Sequence, residues 1–67
     1  LTYSYRYIIH VRMEGMSETW YCDRYERDSD NVYTLHGGWQ PHQQEPPPRL
    51  VTIRPGITTT VTTEKVA

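Results

Sequence analysis

Hydrophobic and polar residues alternate from the start of the chain. Between Thr2 and Met13, Tyr3, Tyr5, Tyr7, Ile9, Val11 and Met13 fall on one side, and Thr2, Ser4, Arg6, Ile8, His10 and Arg12 on the other. A period of two over a dozen residues predicts a half-buried strand with the Ile9, Val11 and Met13 side toward the core. Gly15, with Glu14 and Ser17 beside it, predicts a turn. Glu18 to Arg27 follows as a second strand rich in β formers, among them Thr19, Trp20, Tyr21 and Tyr25.

Asp28, Ser29, Asp30 and Asn31 form a polar tetrad suited to a tight turn, because Asp and Asn bond nearby backbone and tolerate positive φ. A third strand is expected from Val32 to about His36. Gly37 and Gly38 end it, and the polar, proline-rich stretch over 37–48 reads as a long loop. Arg49 to Arg54 predicts a fourth strand, Pro55 and Gly56 a turn, and Ile57 to about Lys65 a final Thr-rich strand. No segment shows the three-and-four apolar spacing of a long helix. The whole predicts one all-β domain over 1–67, a five-stranded antiparallel meander curled into a sheet, an SH3-like roll or an open barrel.

Composition narrows what such a domain does. A chain of 67 residues buries only about 60% of the surface its unfolded form exposes, which leaves little scaffold for a catalytic cleft. Cys22 is the single cysteine, so no internal disulfide is available and a reducing, cytoplasmic setting is expected. No apolar run is long enough for a helical membrane span, and no targeting segment is visible. The net charge of −1 argues against general polyanion binding. Charge is nonetheless uneven: residues 14–30 carry Glu14, Glu18, Asp23, Glu26, Asp28 and Asp30 against only Arg24 and Arg27.

Cys22 lacks a catalytic signature, and His10, His36 and His42 lie on different segments, without the spacing of a zinc site. The Asp28 tetrad fails as a calcium loop, because Tyr33 stands where Gly is required and Trp39 where the closing Glu belongs. Pro46, Pro47 and Pro48 before Arg49 favour polyproline II geometry without a PxxP core. No cofactor, metal or catalytic residue is expected, and the chain reads as no enzyme.

The aromatic content is the main functional clue: six Tyr and two Trp with no Phe. Tyr and Trp are apolar in body and polar at the tip, and they concentrate where a ring is half buried or meets a partner. On one continuous second strand, Trp20 and Cys22 point one way while Tyr21 and Tyr25 point the other, so large rings are expected outside. This predicts a non-catalytic protein-interaction module that uses Trp20, Tyr21, Asp23, Tyr25, Tyr33 and the loop residue Trp39. Its size suits an inhibitor or accessory protein of phage or plasmid type. Ile8, on the otherwise polar side of the first strand, invites a homodimer. The alternative is a β-barrel for single-stranded nucleic acid, with Tyr rings stacking on bases and Arg6, Arg12, Arg24, Arg49 and Arg54 on phosphates. The acid-rich middle of the chain opposes it.

Overall fold

The structure is a computed structural model that describes residues 5–41 and 50–66. Its elements are all strands: β1 Tyr7–Met13, β2 Met16–Cys22, β3 Arg24–Arg27, β4 Tyr33–His36, β5 Leu50–Ile53 and β6 Thr60–Lys65. Among the described residues, no helix is long and apolar enough to cross a membrane. The strands form two three-stranded antiparallel sheets, ordered β2-β1-β6 and β3-β4-β5. The expected meander of five strands is therefore corrected: the described residues form six strands in two sheets. The last strand returns to pair with the first.

The extra strand comes from a break at Asp23. Asp23 donates its N–H to the His36 carbonyl at 2.9 Å, and Arg24 is also in register with His36. Two residues opposing one is a β-bulge, which bends the strand and advances its side-chain phase by one residue. Trp20 and Cys22 face inward before the bulge, level with Ile9 and Tyr7, and Tyr25 faces inward after it, level with Leu35. The premise that Tyr25 must point opposite to Trp20 and Cys22 is thereby corrected, since it assumed an unbroken alternation.

Other boundaries shift for local reasons. β1 and β2 meet through the two-residue turn Glu14–Gly15, so Ser17 lies within the strand. Asp28 Oδ1 accepts the N–H groups of Asp30 and Val32 at 2.8 and 3.0 Å, and Asn31 takes φ 63°. That turn leads into β4 as its Asp and Asn content predicts. Ile57 belongs to a turn closed by the Thr59 N–H on the Gly56 carbonyl at 3.1 Å, so the final strand starts only at Thr60. Arg49 and most of the proline-rich stretch lie outside the described residues.

The core lies between the sheets. Ile9, Cys22 and Leu35 are fully buried, with Val11 and Tyr33 beside them. Tyr7, Met13, Trp20, Tyr25, Val51, Ile53 and Val61 pack around this centre. Gly37 and Gly38 carry the chain from β4 toward β2. Gly37 has φ 70°, which side chains rarely adopt, and a Cβ on Gly38 would fall 2.8 Å from Val51 Cγ2.

Candidate functional site

Three rings gather on the outer side of the first sheet. Tyr21 alternates with Trp20 and Cys22 on β2 and so faces away from the core, level with Ile8 of β1. The phase of the ladder aims its backbone groups away from β1, where Trp39 meets them. Tyr21 N–H donates to the Trp39 carbonyl at 2.8 Å, and Trp39 N–H donates back at 2.9 Å. The two glycines before Trp39 make this approach feasible.

Side chains complete the cluster. The Tyr5 ring stacks on Tyr21 with centroids 4.4 Å apart and planes within 8°. Trp39 stands edge-on to Tyr21 at 4.8 Å and to Tyr5 at 6.1 Å, both at 73°. Such pairs contribute about 0.5–1.5 kcal/mol each beyond the area they bury. All three residues remain half-buried. At the margin, Arg6 Nε lies 3.4 Å from Asp23 Oδ1, with both side chains well exposed, so the pair adds charge to the surface and little stability.

Of the six residues expected to bind a partner, Tyr21, Asp23 and Trp39 are brought together here. The other three occupy the interior side. Trp20 packs on the core, and its buried Nε1 meets no acceptor among the described residues. Tyr25 meets Tyr7 edge-on at 5.1 Å and donates its hydroxyl to Thr63 Oγ1 at 3.1 Å. Tyr33 is a core residue, 7% exposed. Alternation alone puts Tyr5 on the core side with Tyr7, whereas its ring stacks on the outward-facing Tyr21. Tyr5 precedes β1, where Arg6 N–H bonds the Cys22 carbonyl at 3.0 Å, outside the regular register.

The remaining polar groups are dispersed. His10 Nε2 lies 3.4 Å from Glu64 Oε1, and His36 Nε2 lies 3.0 Å from Glu26 Oε1. Burial, followed by the nearby Asp23 carboxylate, pushes the Cys22 thiol up to about 11, which keeps it protonated and a poor nucleophile at neutral pH. Among the described residues, no group of three or more His, Cys, Asp or Glu could hold a metal ion. A concave patch of about 320 Å³ crosses the outer face of the first sheet, lined by His10, Arg12, Ser17, Thr19, Thr60 and Thr62 among others. The arginines of the nucleic-acid alternative are spread over both sheets. Arg6 faces Asp23, Arg12 borders the patch, Arg24 sits at the bulge and Arg54 follows β5, while Arg49 is outside the described residues. No protein-family model, curated protein or solved structure matches this chain.

Proposed function

We propose that this protein is a non-catalytic binding module that docks another protein on Tyr5, Tyr21 and Trp39, with Asp23 and Arg6 at the rim. The observation that carries this reading is the placement of three large rings on the side of the sheet opposite the core. Core packing accounts for Trp20, Tyr25 and Tyr33 but not for these. Rigid aromatic area ringed by exposed charge is the composition of an interface centre and its rim.

The strand order supports the finer description of the scaffold as an SH3-like roll: a bent strand runs through both sheets, and the last strand returns beside the first. A fully buried, unbridged Cys22 fits a cytoplasmic setting. Half-buried Ile8, level with Tyr21, extends the apolar area, so a second copy is one partner the surface suits. Blocking another protein by occlusion, as a small inhibitor does, needs nothing beyond such a surface.

Crosslinked pulldown from the native host, paired with sedimentation, tests the proposal. Wild-type protein is expected to retain a partner or self-associate, and Tyr21→Ser to lose that association with its sheet signal in circular dichroism intact. Tyr5→Ala, outside every strand, provides a second variant that leaves the ladders alone. Neither partner nor self-association in the wild type, or full association in both variants, overturns the reading. A low-salt mobility shift with single-stranded nucleic acid that is lost on Arg6→Glu and Arg12→Glu replaces it with the nucleic-acid alternative.

A further inference from the structure

The first sheet ends in an open edge at β6, away from the aromatic cluster. Val66 N–H donates to the Arg6 carbonyl at 2.7 Å, which sets the phase of the β1–β6 ladder. Thr60, Thr62 and Glu64 therefore turn their backbone groups toward β1, and Val61, Thr63 and Lys65 turn theirs outward. Among the described residues, no strand pairs with that side.

The side chains beside this edge have a definite character. Val61, Thr63 and Lys65 share the inward side with Val11, Ile9 and Tyr7, their partners on β1. Next to them opens a hollow of about 510 Å³, lined by Tyr25, Arg27, Tyr33, Val61, Thr62 and Thr63. Arg27 and Lys65 are in no ion pair among the described residues. The neighbouring acids are already engaged: Glu26 with His36, Glu64 with His10, and Asp28 with its own turn. The hollow thus offers the unpaired cation of Arg27 and an aromatic wall, next to a row of open amides and carbonyls that ends at Lys65.

We propose that β6 accepts an added strand from a partner protein, an extended segment that carries acidic side chains at alternate positions. Backbone pairing would use Val61, Thr63 and Lys65. Side chains alternate across a strand, so every second residue of the guest enters the hollow, where a carboxylate meets Arg27. The charges at Glu64 and Lys65 guard the end of the edge against indiscriminate pairing. This surface is separate from the aromatic cluster, and the two proposals stand or fall independently.

The probe is a labelled peptide of about six alternating Val and Glu residues, a common strand length, compared with its Val–Lys and Val–Gln counterparts. Titration is followed by backbone amide NMR and hydrogen exchange. The Val–Glu peptide is expected to slow exchange at Val61, Thr63 and Lys65 and to bind at least about tenfold more tightly than Val–Lys, the factor that about 1.4 kcal/mol represents. Arg27→Glu is expected to reverse that preference, and Tyr21→Ser to leave it unchanged. Thr63→Pro removes an outward N–H, together with the hydroxyl that accepts from Tyr25, and should abolish binding. If Thr63→Pro unfolds, the exposed Arg27 variant carries the test alone. The proposal is overturned if no peptide binds, if Val–Lys binds equally well, if Arg27→Glu has no effect, or if exchange at β6 slows with protein concentration alone. The last result would make a second copy the occupant.

Discussion

Cys22 shows how one side chain can report on packing without any chemistry of its own. It is fully buried, and its thiol is pushed from 9.0 to about 11, first by burial and then by Asp23. A raised folded value means that the native state holds its proton where the unfolded chain has released it. The stability this contributes is complete below pH 9 and is lost as pH rises from there toward 11. Wild-type protein is therefore expected to lose on the order of 2 kcal/mol more than Cys22→Ala across that interval. Urea denaturation of both proteins at pH 8 and about 11 measures the difference, which cancels the six tyrosines they share. Equal losses would place the thiol in contact with solvent. At neutral pH the same protonation predicts slow alkylation.

Among the elements, the bent pair β2 and β3 decides which aromatics are hidden. One extra residue at Asp23 lets Trp20, Cys22 and Tyr25 all face the core and leaves Tyr21 outside. Deletion of Asp23 would remove the extra residue and keep Tyr25 inward and Arg24 and Glu26 outward, but it would straighten the strand where it passes from one sheet to the other. Because no core ring is turned out and no charge turned in, the expected cost is about 0.5–3 kcal/mol, the range of most single changes. A lowered but still cooperative melt in circular dichroism checks it, and Asp23→Asn, which keeps the bulge, is expected to melt within a few degrees of wild type. Much of this architecture is legible in the sequence: the alternation through Tyr7–Met13, the turn at Gly15 and the polar tetrad at Asp28–Asn31 are all local signals. The bulge is not, because an inserted residue in an aromatic run looks like rings on both faces. Nor is the Tyr21–Trp39 pairing, which joins distant residues through backbone groups that every residue possesses. Tyr21, Asp23 and Trp39 could be named in advance. Their neighbour Tyr5 could not, since its direction depends on where β1 begins.

For the molecule as a whole, stability rests on two small sheets sharing one core without a disulfide. At roughly 0.05–0.15 kcal/mol per residue, a chain this short has about 3–10 kcal/mol in hand. Neither sheet can persist alone, because Ile9 and Cys22 from one and Leu35 and Tyr33 from the other complete the same cluster. Trp20 in the core and Trp39 in the outer cluster sample the two sides of the first sheet. Single-tryptophan variants, Trp20→Phe and Trp39→Phe, are expected each to show one transition whose fluorescence midpoint matches the circular dichroism midpoint of the same protein. A Trp39 signal that moves at lower urea than the sheet would reveal a cluster that opens by itself.

The Tyr21–Trp39 bridge also has a mechanical meaning. A strand bent at one bulge would, by itself, be a hinge between the sheets. Trp39 makes a second attachment, reached from the far end of β4 through Gly37 and Gly38, so that β2, the bulge, β4 and the glycine pair close a loop of linked struts. A closed linkage holds an angle where a single joint would let it swing, and the rings of Tyr5, Tyr21 and Trp39 sit on the member that locks it.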